Sequence, residues 1–302
     1  MSTESRFRIG ELSRRSGVSP DLLRAWERRY GLLRPSRSSG GLRLYSEDDV
    51  LRVQAMQEQL AAGLAAAEAA AVASSRQGNP QGSVDTMQAR DELDAALLAY
   101  DEGAAHATFD ALVARFSLET VLADVVLPYL HDVGDRWERS EISVAQEHFA
   151  SAFLRGRLLG LARGWGQGFG PTALLACAPG EQHDLGLVAF GLALRSRGWR
   201  ILYLGPDTPL ESLADAARSS RPDRVVVSAV DPTALEAGCD NLGDLARDFP
   251  LAVGGAAATG VHLGDNILIL AGSPTEEAEN LTRLERTSST SRVFRQTSRA
   301  RP

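Results

Sequence analysis

The last part of the chain alternates short apolar runs with longer amphipathic stretches. TALLACA (172–178), RILYLG (200–205), RVVVSAV (224–230), LAVGG (251–255) and ILILAG (267–272) are dominated by aliphatic residues with little polar alternation. Runs of that kind read as strands buried on both faces. Their alternation with helical stretches predicts a doubly wound, parallel, five-stranded Rossmann-like sheet with helices on both sides. In such sheets ligands bind beyond the C-terminal strand ends, where the strand order switches, so the loop after the first strand is the place to look for chemistry. From Asp85 to about Trp165 the period changes: apolar residues recur at spacings of three and four, as helices require. Residues 7 to about 74 are also helical, with short breaks.

Two segments interrupt these patterns. Ser75–Val84 (SRQGNPQGSV) has linker composition, and Gly166–Pro171 (GQGFGP) is a second break. The tail from Glu285 to Pro302 is rich in Arg, Ser and Thr and reads as disordered. The expected plan is therefore a helical module over 1–74, a linker over 75–84, a helical region over 85–165, a sheet domain over 166–284 and a tail over 285–302.

Charge divides along the same lines. The 302 residues carry a net −7, yet residues 1–60 hold eleven arginines against eight acids, a net of +3. The remainder holds twenty-one arginines against thirty-one acids, a net of −10. A chain acidic overall does not coat nucleic acid generally, but it can carry one small basic module. Cys177 and Cys239 are the only cysteines, too few for a disulfide framework or a four-thiolate zinc site. Cys177 lies in an apolar strand and reads as core. The N-terminus lacks the apolar core of a signal peptide and no apolar run reaches membrane-spanning length, so a cytoplasmic protein is expected.

In the basic module, Ile9–Ser16 makes a short helix and Gly17-Val18 a turn. Ser19 has N-cap chemistry, with Pro20 at the first helical position of a second helix that carries Arg24, Arg28 and Arg29. Leu23, Trp26 and Tyr30 fall at helical spacing and read as its core stripe. A loop with Arg34, Arg37, Gly40, Gly41 and Arg43 follows, and Ser46 with Asp49 looks like a capping box opening another helix. Helix, tight turn, helix and basic loop form a winged helix-turn-helix, whose second helix suits the major groove while arginines neutralise phosphates. A solvated basic face is the plainer alternative on charge alone. The stretch RIGELSRRSGVSPDLLRAWERRYGLLRPSRSSGGLRLYS resembles the DNA-binding domain of the MerR family of transcription regulators. That resemblance places Ser19, Arg24 and Arg28 on or at the reading helix, and Arg43 and Tyr45 on the wing. It implies double-stranded operator DNA as partner, bound by a dimer or larger assembly.

After the first predicted strand comes Glu181-Gln182-His183-Asp184-Leu185-Gly186. A single His in a switch-point loop can be a metal ligand, a base or a surface residue. Glu181, two residues earlier, can accept its second ring N–H, fixing the tautomer and strengthening the other nitrogen as a ligand. Gly186 leaves room for a bulky group near the backbone. The spacing resembles the cobalamin-binding signature, in which the acid is usually Asp. The resemblance implies that His183 is the lower axial ligand of cobalt, and that Ser228, Gly254 and Gly255 stand where the nucleotide tail threads.

In the helical region Val144, Glu147 and His148 fall at i, i+3 and i+4 and share one helix face. The stretch DRWERSEISVAQEHFAS resembles the four-helix-bundle cap of CarH-type photoreceptors, where Trp137, Val144, Glu147 and His148 match the residues enclosing the adenosyl group of adenosylcobalamin. In that pattern a His follows the Trp and captures cobalt after photolysis. Here Glu138 stands in its place, and a carboxylate is a poor substitute for imidazole on this metal. No stable bis-His adduct is expected through this position. Taken together, the resemblance implies a light-responsive, adenosylcobalamin-dependent repressor, not an enzyme, that grips its operator as a tetramer in the dark. A regulator sensing cobalamin level without light, a corrinoid methyl carrier, and a regulator that has lost cofactor binding are the alternatives.

Overall fold

The computed structural model describes residues 7–33, 35–37, 42–61, 66, 69, 70, 73 and 80–299. Arg34, Gly40 and Gly41 of the expected basic loop, and linker residues 75–79, lie outside this set. The chain divides into two compact units, Met1–Gln88 and Ala89–Pro302.

In the first unit, α1 (Ile9–Ser16) and α2 (Pro20–Tyr30) are joined by a turn with Gly17 in the left-handed region, φ 71°. Ser19 Oγ accepts the N–H of Leu22, so the expected N-cap is formed with Pro20 at the first position. β1 (Ser36–Arg37) and β2 (Arg43–Leu44) make a short antiparallel wing, extended by a bridge between Phe7 and Tyr45. α3 (Glu47–Ala61) opens with Asp49 accepting the backbone N–H of Ser46, one half of a capping box. Leu12, Leu23, Trp26, Leu32, Tyr45, Val53 and Met56 form the core. The helical stripe of α2 is thus packing, as its spacing predicts.

The second unit starts within α4 (Pro80–Leu98), which begins inside the segment expected to be linker. It continues through α5 (Glu102–Arg115), α6 (residues 118–138) and α7 (Val144–Leu161). These four helices make a bundle whose interior is Leu93, Leu97, Phe109, Leu112, Leu122, Tyr129, Phe153 and Leu154. α6 is not regular: Val121–Val126 is π-helical and runs directly into Leu127-Pro128. Pro128 has no N–H to give to the previous turn, and the widened segment accommodates its ring. α7 begins with a complete capping box, Ser143 with Gln146, and Gln146 Nε2 also donates to Leu98 O at 3.1 Å. The start of α7 is thereby pinned to the end of α4.

The sheet follows with β3 (Thr172–Cys177), α8 (Leu185–Ser196), β4 (Arg200–Gly205), α9 (Leu210–Ser220), β5 (Arg224–Ser228), α10 (Pro232–Glu236), α11 (Cys239–Asp248), β6 (Leu251–Gly254) and β7 (Leu268–Leu270). All pairings are parallel, in the order β4-β3-β5-β6-β7. β4 lies on one side of β3 and β5 on the other, so the switch point is at the ends of β3 and β5. Cys177 is buried there, as expected.

One expectation is corrected. The tail does not begin as a disordered segment at Glu285, because α12 runs from Pro274 to Arg299. Ser273 caps it reciprocally with Glu276, Trp199 Nε1 donates to Thr282 Oγ1 at 2.9 Å, and Arg224 pairs with Glu285 at 2.6 Å. Composition suggested disorder, but the helix is nucleated by its cap and by Ala278 and Leu281 in the core, and the polar residues propagate it.

Candidate functional site

The loop after β3 is organised by one buried carboxylate. Glu181 is only 2% exposed and uses both oxygens. Oε1 accepts the backbone N–H of His183 at 2.8 Å and faces His183 Nδ1 at 2.6 Å. Oε2 accepts the N–H groups of Val230 at 2.6 Å and Asp231 at 3.1 Å, from the loop after β5. Glu181 therefore spans the switch point. Burial acts to raise its pKa, but the hydrogen bonds from His183, Val230 and Asp231 outweigh it and hold the carboxyl below its ordinary range. A carboxylate in that state only accepts, so Nδ1 carries a proton; in the neutral imidazole that tautomer leaves the lone pair on Nε2. The ring itself is 77% exposed. Glu181 also ties in the loop after β4, since its carbonyl accepts from Asp207 N–H while Asp207 Oδ1 accepts from Gly180 N–H.

The helical bundle reaches this loop directly. Asp184, 3% exposed, is gripped by Arg155 of α7: Nε lies 3.0 and 2.8 Å from its two oxygens, and Nη2 2.7 Å from Oδ2. Tyr203 of β4 donates its hydroxyl to the same carboxylate at 2.5 Å, and Trp165 packs edge-on against the Tyr203 ring. Further up α7, Glu147 accepts from Ser151 Oγ at 2.6 Å and lies 3.6 Å from His148 Nε2. His148 is exposed. Val144, His148 and Arg155 lie along one stripe of the helix, and the seven residues from His148 to Arg155 span about 10 Å. Trp137, at the end of α6, leaves 47% of its surface exposed, and Val144 and Val230 are also uncovered. Val230 adjoins the His183 loop through Glu181, whereas Trp137 and Val144 make no hydrogen bond or ring contact with that loop among the described residues. Glu138 is exposed beside Trp137.

The described residues hold no cluster of three His, Cys, Asp or Glu side chains suited to a bare metal ion. A lone imidazole with a free Nε2 instead suits a metal that brings its own equatorial donors, as a corrin does.

On the first unit, Ser19, Arg24 and Arg28 are all exposed on or beside α2, and Arg24 pairs with Asp21 at 3.0 Å. Arg43 of the wing is exposed, with Nε 2.9 Å from Glu27 Oε1. Tyr45 departs from expectation. It is 1% exposed and its hydroxyl donates to Glu27 Oε2 at 2.8 Å. Glu27 thus joins α2 to the wing through two side chains, and Tyr45 is a core residue that sets the wing's position instead of presenting its ring to DNA.

Three stretches of the chain match known family models. Residues 7–75 match the MerR HTH family regulatory protein model, and residues 89–159 and 171–264 each match a B12 binding domain. The HTH-type transcriptional repressor CarH of Myxococcus xanthus is 35% identical over 270 residues, 84% of this chain and 90% of that protein. The chain belongs to the CarH/CarA family of HTH-type transcriptional repressors. CarA of the same organism is likewise 35% identical, over 83% of this chain and 87% of its own length. Among solved structures, the monomethylamine corrinoid protein of Methanosarcina barkeri superposes with a TM-score of 0.54 at 20% identity, covering 66% of this chain and 99% of its own, a likeness of fold.

This CarH/CarA-family chain is accordingly a cobalamin-binding, DNA-binding transcription repressor, and no described helix is long and apolar enough to cross a membrane. Of the glycines expected at its site, Gly186 has open space where a Cβ would stand. Gly255 has a reason within the fold: φ is +92° and an added Cβ would lie 2.2 Å from Ala229 O. Gly254 and Ser228 pair at the ends of β6 and β5, with Ser228 also opposite Cys177. Nothing in the sequence pattern marks a role for Asp184, Arg155 or Tyr203. Asp184 lies inside the motif, and Arg155 shares only a helical register with His148.

Proposed function

We propose that this repressor uses adenosylcobalamin as a light sensor and binds its operator as a dark tetramer in the cytoplasm. The observation that carries the reading is the Glu181–His183 pair, with Nδ1 committed and Nε2 free, on a loop joined to α7 through Asp184. His183 would hold the cobalt through Nε2. Gly186 leaves space at that loop. Ser228, Gly254 and Gly255 would border the route of the nucleotide tail; Ser228 and Gly254 pair at the ends of β5 and β6, which supports that reading. Trp137 and Val144 would pack against the adenosyl group, and Glu147 and His148 would hydrogen-bond it. Bound there, the cofactor supplies a cobalt–carbon bond that light cleaves. The chain's own contribution is to hold α7 against the sheet while those side chains are engaged and to release it when they are not. Ser19, Arg24, Arg28 and Arg43 would contact DNA. Each module offers few phosphate contacts, so several modules held in one assembly supply the affinity, and loss of assembly loses the operator.

The test is an absorbance spectrum of dark-purified protein loaded with adenosylcobalamin, taken before and after green light, with sizing and operator binding on the same samples. The expected result is a light-dependent spectrum that His183→Ala alters, together with a smaller assembly and weaker DNA binding after light. Bound cofactor with no light response would replace this reading with a sensor of cobalamin level.

A further inference from the structure

Asp184 occupies the N-cap position of α8, yet its side chain makes no cap hydrogen bond. An Asp at that position ordinarily accepts from the first turn of its own helix. Here the buried carboxylate turns instead to Arg155 of α7 and Tyr203 of β4. A carboxylate out of water needs its partners, and removing the guanidinium would leave it with one neutral donor. Asp184 is also the residue after His183, and Glu181 on the other side of His183 holds the loop to Val230 and Asp231. α7 carries Arg155 on the same stripe as Val144 and His148, so a shift of that helix moves the guanidinium with it.

We infer that Arg155 is a positioning residue for His183, and that the Arg155–Asp184 pair is the latch through which displacement of the cap helix reaches the His183 loop. The helix cannot move by more than a hydrogen bond's tolerance without either stranding Asp184 or drawing it along, and His183 is its direct neighbour in the chain. By linkage the coupling runs both ways: a ligand that steadies His183 steadies α7. Only this last step rests on the cobalamin reading; the mechanical link belongs to the protein alone.

Hydrogen–deuterium exchange on the full chain tests it, first without cofactor and then with hydroxocobalamin added. Arg155→Gln is expected to speed exchange of the loop amides 180–185 and of Val230 and Asp231 by about tenfold, the equilibrium factor of one charge-assisted hydrogen bond. Arg155→Lys, which keeps the charge but loses the fork, gives a smaller rise and serves if Gln does not fold. Arg157→Gln is the control, because the partners of Arg157 among the described residues are His106, Asp110 and Phe109 within the bundle, and it should leave the loop unchanged. With hydroxocobalamin, wild type gains protection in the loop and in α7, whereas Arg155→Gln gains it in the loop alone. Loop exchange unchanged in both Arg155 variants, or raised uniformly across the sheet, would overturn the latch. No protection anywhere in wild type would instead count against cobalamin binding, with the latch still decided by the cofactor-free comparison.

Discussion

Replacing Glu181 by Gln keeps the shape of the side chain and removes one of two acceptor oxygens. Wild-type Glu181 meets four donors: the backbone N–H and Nδ1–H of His183 on one oxygen, and the N–H groups of Val230 and Asp231 on the other. With the amide nitrogen turned toward Val230 and Asp231, two backbone donors face a third. Turned the other way, it faces the His183 N–H and forces Nδ1 to give up its proton, which moves that proton to the nitrogen needed for a metal. Either orientation loses two charge-assisted bonds at about 1.5–3 kcal/mol each, so the second unit should lose roughly 3–6 kcal/mol. Against a usual domain stability of about 5–15 kcal/mol, that is a large fraction. Urea unfolding followed by tryptophan fluorescence reads it, since Trp137, Trp165 and Trp199 all lie in that unit. The pH dependence supplies the sign. Because the folded carboxyl titrates below its ordinary 4.5, its contribution is fully present above 4.5 and is lost as pH falls through the lower folded value. The gap between wild type and Glu181→Gln should be constant near neutrality and close on acidification. A gap below about 1 kcal/mol at neutral pH, or one that does not narrow in acid, would refute the account of Glu181 as the organiser of this loop.

Other expectations follow from single positions. Tyr45→Phe removes a hydroxyl bonded to Glu27, so thermal unfolding should show the first unit about 1–2 kcal/mol less stable. Weaker operator binding at fixed salt with unchanged stability would return Tyr45 to the DNA surface. Gly255→Ala should destabilise the sheet by several kcal/mol in denaturant titrations without any ligand, since φ is +92° and the new Cβ meets Ala229 O. Burial pushes the Cys177 thiol up to about 12, so a thiol reagent at neutral pH should label the less buried Cys239 first, and equal rates would mean that the sheet opens.

Much of this architecture is legible in the chain because its signals are periodic or local. The five apolar runs become the five strands, but only the central β3, β5 and β6 are buried on both faces; the edge strands β4 and β7 leave Leu202, Leu204 and Ile269 partly exposed. Ser19-Pro20 starts α2 because cap chemistry is set by neighbours in sequence. The pairing of Glu181 with His183 is also local, two residues apart. What was illegible is contact between distant segments. Val230 and Asp231 contribute only backbone N–H groups, which any residue but proline has, so nothing in their identity marks them as partners of Glu181. Tyr45 reads as a wing residue by position, and only the backbone bridge to Phe7, the hydroxyl's bond to Glu27 and the surrounding core show that its ring is turned inward. The tail misled for the opposite reason: composition dominates its reading, while Trp199 and Arg224, more than sixty residues away, anchor its start.

The choice of Glu at position 181 has a geometric reason. The cobalamin signature that this loop resembles ordinarily carries Asp, whose carboxylate lies one methylene, about 1.5 Å, closer to the backbone. Glu181 bridges four donors on two loops at 2.6–3.1 Å, with little slack before a hydrogen bond is lost. With this backbone the shorter acid could stay with His183 or with Val230 and Asp231, but not both. The longer side chain therefore performs two tasks at once: it sets the tautomer of the candidate ligand and fastens the ligand loop across the switch point. Asp184 then fastens the same loop to the cap helix. His183 sits between two buried carboxylates, one tied to the sheet and one tied to the bundle, so whatever its Nε2 binds reports on the relative position of both. That is the arrangement a repressor needs if occupancy of a small-molecule site is to govern how its larger pieces assemble.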